Sequence, residues 1–500
     1  MIINTCVDCD NNIHETEFVI VGGGLSGLFL SQILKDTNKK IIIIEKGDEN
    51  LNSSYEERSI ITGVNHTGSQ NQRGLRLGGN GNFWGGQLCE FQKSDLEKNF
   101  WGINHDELKK LYNEIYNLFD VHKIHDPTFL SEDKFLLDDN ISRYFNFFLH
   151  TPNLFDLYSK QIKNSKNIKL LKNLTANNLI FENDSATQIN CLTKNGKKLI
   201  IKSKFYIFCL GPIENTRFFL SLKNSNKSSP VMNNNFIGNF FQDHIGIDTG
   251  KIKINSEKKF RELSEYGFYK KIRYVPKLKN KNKNIGISAE LIAKSRFSNV
   301  LSDWNNFFNN RNTSNFKDLF LKSLNLPKKY AEQFIYRIIK NRSKSFFDED
   351  ISLYMQSEQI PLYDSKITMN KELLNDGLNK VNIDWKIHGD EFKEITKFSN
   401  SINKFLHINN IGELKINSNL ENLETFKQNL RDTNHPSGGL IISKDKLSGV
   451  CDSKLKVWNT KNVYINGSSV FPNSSYANIT LTILALTLKL GRDLKNFIQK

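Results

Sequence analysis

Three glycines and one acid near the start of the chain are the residues whose types and spacing speak most directly of chemistry. Gly22, Gly24 and Gly27 occupy the G-x-G-x-x-G positions of the run EFVIVGGGLSG, Glu17–Gly27. In that spacing the first glycine permits a tight turn and the second lets a pyrophosphate approach the backbone. The third lets a helix pack closely on the strand before it. The helix N-terminus then offers unpaired N–H groups and a partial positive charge to phosphates. Glu45 follows 18 residues after Gly27, where a carboxylate can accept hydrogen bonds from the hydroxyls of an adenosine ribose. A dinucleotide fits this set; the plainer alternative is an ordinary βαβ unit in which Glu45 caps a strand.

A second glycine-dense run, Gly74–Gln87 (GLRLGGNGNFWGGQ), holds six glycines in 14 residues, too many for a stable helix or central strand. Phe83 and Trp84 within it argue against free solvation, so a ligand-facing loop is expected. His435 stands in a tight turn, His-Pro-Ser-Gly-Gly439, and an imidazole of ordinary pKa near 6.5 suits proton abstraction near neutral pH. Other candidates are weaker. His244 beside Asp243 reads more readily as a structural hydrogen bond than as a catalytic pair. His122 and His125 read as surface residues, and Cys6-x-x-Cys9 lacks a second pair at zinc spacing. No metal is expected.

These residues need elements to hold them. Phe18 to Val21 form a buried strand, Leu28, Phe29, Ile33 and Leu34 give the helix Leu25–Lys35 an apolar face, and Ile41 to Ile44 run as a second strand into Glu45. Leu108, Leu111, Ile115 and Leu118 predict an amphipathic helix over 105–121. Short strands follow from 167, and the apolar run 204–211 ends on Gly211-Pro212 before a helix-like segment, returning the chain to the first sheet. Strands are expected at 353–359, 365–370 and 380–387. Before them lies a basic, aromatic insert, 297–344, read as packing between helices, with docking to a membrane or lipid carrier as the alternative. A strand within 461–472 leads to a Gly-Ser turn, and an apolar helix opens after Asn478 and runs through Leu490.

Five hundred residues imply two or three domains, and 38% hydrophobic content supports sizeable cores. The net charge of +16 would suit nucleic acid, an anionic membrane or an anionic substrate. The lysines are widely spread, however, with KLKNKNKN at 277–284 the one dense cluster, and the charge reads mainly as solvated surface. No nucleic-acid partner is expected. Cys89, Cys191, Cys209 and Cys451 stand singly in apolar surroundings, as reduced buried thiols do. The chain shows neither a secretory leader nor an apolar run long enough to span a membrane, so a soluble cytoplasmic protein is expected.

Taken together these motifs resemble those of the glucose–methanol–choline (GMC) oxidoreductases, FAD-dependent enzymes that oxidise alcohols and sugars, and within them the bacterial sugar and polyol dehydrogenases. The resemblance covers most of the chain through GGGLSG with Glu45, GGNGNFWGG, FWGINHDELKKLY, CLGPIENTRFFL, FIGNFFQDH, EQIPLYDSKITM and the block from His435 that includes GSSVFP. It implies an α/β architecture: a Rossmann-like FAD-binding domain from 1–100, 165–250 and 430–500, with an inserted α+β substrate domain, on an antiparallel sheet, from 101–164 and 251–429. It also implies that Gly22, Gly24, Leu25, Ser26 and Gly27 hold the pyrophosphate and Glu45 the ribose. Asn80, Gly81, Asn82, Phe83 and Trp84 would line the isoalloxazine, which Asn466, Gly467, Ile479 and Thr480 would flank. His435 and Asn478 fall on the family's catalytic pair, His435 taking the hydroxyl proton while hydride leaves for flavin N5 and Asn478 orienting the substrate oxygen.

Two departures stand out. Ile479 replaces the family's usual proline, leaving the helix entry less rigidly set. The glycine loop carries Phe83 and no histidine, so non-covalent FAD is expected. The substrate is expected to be a sugar or related alcohol, free or nucleotide- or lipid-linked, with electrons passing to a non-oxygen acceptor. Peripheral membrane contact fits the insert. An oxygen-using oxidase, a flavin-containing lyase and a non-catalytic flavoprotein are the alternatives.

Overall fold

The computed structural model describes residues 1–5, 13–49, 58–71, 73–121, 135, 139–149, 153–225, 229–269, 272–281, 284–293, 327–340, 342–344, 346–347, 350–374 and 376–499. Cys6, Cys9, His122, His125 and, of the basic insert, 297–326 and Asn341 lie outside them.

The apolar runs at 18–21 and 41–44 have no polar residue to turn toward water, so they are covered on both faces, as parallel strands between helices are. The strands Ile13–Val21 and Ile41–Glu45 pair in parallel at the centre of an eight-stranded sheet. Ile168–Lys172 and Ile2–Asn4 continue it on one side. On the other lies Lys198–Phe208, one long strand in place of the two short ones expected. Its first half pairs antiparallel with Ser185–Thr193, and its second half pairs in parallel with Val463–Ile465. The helix Leu25–Lys35 buries Leu28, Phe29, Leu30 and Leu34 and packs against the C-terminal helix Thr480–Gln499. That helix also packs against His105–Leu118, whose predicted apolar face buries Leu108, Leu111, Tyr112 and Ile115.

A second, nine-stranded sheet is antiparallel throughout. It runs Gly412–Ile416, Ile245–Ile254, Ile351–Ser357, Ile287–Ala293, Ile272–Asn280, Ile141–Phe148, Gln87–Leu88, with Gly267–Tyr269 and Arg431–Asp432 attached at its margins. A small sheet joins Lys366–Leu373, Asn379–Asp384 and Ser59–Ile61. The layout is the α/β sheet plus antiparallel sheet that the motifs imply. The segments divide more finely than 101–164 against 165–250: the helix Leu154–Asn164 packs on Leu25–Lys35 in the first layer, whereas Ile245–Ile254 belongs to the second sheet.

Two expectations are corrected. The described part of the insert is a helix, Pro327–Lys340, that packs inside out. Tyr336 and Gln333 face the body through hydrogen bonds to Glu265 and Ser343, and Arg337 lies over the Phe268 ring. Phe334, Ile335, Ile338 and Ile339 are instead 54–69% exposed, so its apolar side is not packed between helices. The lysine cluster is not all solvated either. Lys277 sits in the strand Ile272–Asn280, buried and 3.1 Å from Glu290 Oε2. Cys89, Cys191, Cys209 and Cys451 are free and buried. Among the described residues no helix is long and apolar enough to cross a membrane.

Candidate active site

A cavity of about 500 Å³ opens where the strand Ile13–Val21 ends, bounded by the glycine turn, the glycine loop, the His435 turn and the start of the C-terminal helix. Its floor is built by the absence of side chains. Gly22 has φ +112°, and a Cβ there would sit 2.5 Å from the Cys209 carbonyl oxygen; one on Gly27 would sit 2.0 Å from the Gly22 carbonyl oxygen. Those two glycines let strand, turn and helix close on each other. Gly24 is different: the nearest atom to an added Cβ is Gly79 Cα at 3.9 Å, so its missing side chain leaves open space in the cavity. The glycine loop is tied opposite it, Gly78 N donating to Gly23 O at 2.9 Å and Leu77 N to Asp48 O at 2.9 Å.

Glu45 ends the second strand on the cavity wall, its Oε2 accepting from Gly23 N at 2.8 Å and its Oε1 from Gly47 N at 2.7 Å. Burial pushes its carboxyl above the usual range, against these hydrogen bonds. Beside it lies a group that sequence reading missed. Glu214 is held by Arg58 Nε at 3.0 Å and Arg217 Nε at 2.6 Å and is also paired with Arg73, while Lys46 pairs with Asp376. Burial would raise the Glu214 carboxyl, but Arg217, Arg58, Arg73 and Lys46 hold it well below the usual range. Four cations against the carboxyls of Glu214, Asp376 and neighbouring Glu45 leave this end of the cavity positive, as a phosphate-bearing ligand requires. Two signals were available, Arg73 at the head of the glycine loop and the motif CLGPIENTRFFL, which contains Glu214 and Arg217.

Of the residues singled out for cofactor binding, Gly22, Gly24, Leu25, Ser26, Glu45, Asn80, Gly81, Phe83, Trp84, Gly467, Ile479 and Thr480 line the cavity together with His435 and Asn478. Three do not. Gly27 is spent on helix–strand packing. The Asn82 amide donates to Leu77 O and Gly79 O within its own loop. Asn466 is fully buried and donates to Thr487 Oγ1 at 3.0 Å, locking its strand to the C-terminal helix.

His435 Nε2 lies 2.8 Å from Asn478 Nδ2, and His435 Nδ1 lies 2.8 Å from Thr433 Oγ1. The His435 turn hangs on the segment that leads into the second sheet: Gln242 and Ser437 exchange backbone hydrogen bonds of 2.9 and 2.8 Å. Gly438, at φ +75°, passes so close to Phe240 that a Cβ would lie 1.9 Å from its carbonyl oxygen. Burial holds the His435 imidazole well below its ordinary value, with the His244 and Lys277 charges adding to the effect. It is therefore neutral near pH 7, the form that accepts a proton. His244 is structural in its contacts: its Nε2 meets Ser474 O at 3.1 Å and its Nδ1 meets Gln356 Nε2 at 2.9 Å.

Asn478 comes from the opposite layer, and the helix entry that lacks a proline is held by side chains instead. Gln356 Nε2 donates to Tyr476 O at 2.8 Å, Ser475 Oγ to Asp95 Oδ2 at 2.8 Å, and Asn473 Nδ2 to Glu358 Oε1 at 3.2 Å.

Residues 361–487 match the family model described as GMC oxidoreductase. This part of the chain is a GMC oxidoreductase domain. Solved structures similar over nearly the whole chain are pyridoxine 4-oxidase from Mesorbium loti and a variant of the formate oxidase from Aspergillus oryzae RIB40. The first has 14% identity, a TM-score of 0.61, and covers 95% of this chain and 98% of its own. The second has 15% identity, a TM-score of 0.61, and covers 98% and 99%. At such identities the likeness is one of fold. No curated protein matches by sequence. The matched domain is thus an oxidoreductase domain set in a fold shared with those two enzymes, and the cofactor that the sequence motifs imply for it is FAD. The cavity fits that cofactor: beyond the open face of Gly24 and the positive end, Trp84 Nε1 and Gln87 Nε2 are buried donors without a hydrogen-bond partner on residues that line it. An acceptor-rich ligand satisfies such donors.

Proposed function

We propose that the protein oxidises a hydroxyl of a sugar or sugar derivative, with His435 as the base. FAD, when bound, supplies the hydride acceptor. On binding, the substrate hydroxyl takes the place of the Asn478 amide at the His435 Nε2 lone pair, which accepts the hydroxyl proton, while the Asn478 amide donates to the substrate oxygen and fixes it without itself titrating. Gly22, Gly24, Leu25, Ser26 and the Glu214 cations would hold the phosphates, Glu45 the ribose, and the Phe83–Trp84 wall the ring system. The observation that carries this reading is the 2.8 Å His435–Asn478 pair on the wall of a phosphate-suited cavity. With Phe83 where a tethering histidine would stand, the flavin is released on acid precipitation.

Electrons pass to an acceptor other than oxygen in this reading; the oxidase neighbours favour oxygen as the second reading. Among free, nucleotide-linked and lipid-linked sugars, the outward row Phe334, Ile335, Ile338, Ile339 beside exposed Lys328 supports the lipid-linked class, since such a face suits an anionic lipid surface. The test is an anaerobic visible spectrum of the FAD-loaded protein during addition of each class. Bleaching by one, abolished in His435→Ala and reversed by a quinone but not by air, is the expected result. Reversal by air with peroxide release selects the oxidase, and failure to take up FAD overturns the reading.

A further inference from the structure

Thr433, two residues ahead of His435, has no part in the chemistry described so far, yet its hydroxyl lies 2.8 Å from the His435 nitrogen that faces away from Asn478. We propose that Thr433, backed by the Asp243 carboxylate, is a positioning residue that selects the His435 tautomer whose Nε2 carries no proton. The inference rests on His435 being the base.

A neutral imidazole has one N–H, and its neighbours decide where it sits. Asn478 presents its amide nitrogen, which only donates, to Nε2 at 2.8 Å, so Nε2 keeps its lone pair and Nδ1 carries the proton. That Nδ1–H needs an acceptor. A threonine hydroxyl serves only if its own hydrogen is directed elsewhere, and Asp243 Oδ1 lies 3.5 Å from Thr433 Oγ1 in that direction. The carboxylate is well fixed: Oδ1 accepts from the backbone N–H groups of His244 at 2.7 Å, His435 at 3.0 Å and Thr433 at 3.3 Å. One buried carboxylate thus orients both the hydroxyl and the backbone that carries the base.

Behind it stands His66, which sequence reading passed over. Its Nδ1 accepts from Ser69 N at 3.1 Å, leaving the proton on Nε2, which lies 3.2 Å from Asp243 Oδ2, off the line of a hydrogen bond. Asp432, whose oxygens are taken by Thr67 and Gly68, closes the group. The titratable groups around the base are therefore Asp243, His66 and Asp432 on the Thr433 side, and His244 and Lys277, which lower its pKa. Taking the hydroxyl proton makes His435 an imidazolium, whose Nδ1–H binds the polarised Thr433 oxygen more strongly than before. Thr433 therefore favours the protonated state most at the moment of reaction.

The test is nitrogen NMR of histidine-labelled protein at neutral pH, with the His435 signal assigned by its loss in His435→Asn. The wild type and Thr433→Ser are expected to show Nδ1 protonated and Nε2 bare, and Thr433→Val, which keeps shape and backbone, a mixture of tautomers. In the FAD-loaded enzyme, Thr433→Val is expected to lower the plateau rate of flavin reduction by about tenfold. It should also move the acid limb of the pH profile to lower pH, with Thr433→Ser restoring both. A wild-type proton on Nε2, or an unchanged tautomer in Thr433→Val, overturns the proposal. A changed tautomer with an unchanged rate supports the role of Thr433 and overturns His435 as base.

Discussion

The glycine turn allows packing and ligand binding to be separated by two neighbouring substitutions. In Gly27→Ala the new Cβ would sit 2.0 Å from the Gly22 carbonyl oxygen, more than 1 Å inside normal contact, so strand, turn and helix must move apart. Overpacking of that kind costs about 1–3 kcal/mol. In Gly24→Ala the nearest atom is 3.9 Å away, and the native φ of −82° suits alanine. The apo fold should hold its stability or gain about 0.4–1 kcal/mol from the stiffer unfolded chain. The methyl nevertheless enters the space given to the phosphates, and the same 1–3 kcal/mol then falls on the complex, weakening FAD binding by roughly 5- to 150-fold. Thermal melts of the apo proteins and fluorescence titration with FAD read the two quantities separately. Gly27→Ala should lose in both, Gly24→Ala in affinity alone. A Gly24→Ala protein that binds FAD as tightly as wild type would refute the placement of phosphates against this turn, and one that melts early would refute the open geometry.

Other consequences follow from burial. His435 and His244 are both held neutral below their ordinary 6.5, so the unfolded chain takes up protons first. Their contribution to stability is intact above pH 6.5 and declines as pH falls through it, so the change in urea midpoint from pH 7.5 to 5.5 should be less unfavourable in His244→Gln than in wild type. Asp95 works oppositely: burial and the charge of Glu358 raise it from 3.8 to about 6, so its contribution is full below 3.8 and lost as pH rises through about 6. The stability of Asp95→Asn relative to wild type should therefore improve between pH 4 and pH 7; a gap that does not change with pH contradicts this. Phe218, buried against Phe208 and Phe219, should cost about 3–5 kcal/mol on truncation to alanine, read from denaturant curves. Ile338→Lys, at an exposed position, should leave stability within about 0.5 kcal/mol.

Legibility followed local signal. The turn Gly22–Gly27, the strand into Glu45 and the helix Leu25–Lys35 were readable because one apolar run, one turn and one acid lie within thirty residues. The His435 turn and the helix after Asn478 were readable as family motifs. The strands Ile141–Phe148 and Ile272–Asn280 were not, because Arg143, Lys277 and Lys279 interrupt them. Partners outside each strand cover these cations: Arg143 Nη2 donates to Glu262 O at 2.8 Å, 119 positions further on, and Lys277 pairs with Glu290 on a neighbouring strand. The outward face of Pro327–Lys340 defeated the usual rule that an apolar side packs inward. His66 and Thr433 carry no motif; they matter through Asp243, 177 and 190 positions away along the chain, and no spacing rule reaches so far.

The position of Val463–Ile465 in the chain has a consequence during synthesis. The aromatic end of Lys198–Phe208, Tyr206 to Phe208, gets its second neighbour only when this three-residue strand arrives, roughly 255 residues after the ribosome has made Phe208. At 5–20 residues per second that takes roughly 13–50 s. The phosphate turn can close in that time, but one edge of the sheet behind it stays open, and an unpaired apolar edge is a template for joining other chains. How long a growing polypeptide is exposed to that hazard is set by one short strand near its end.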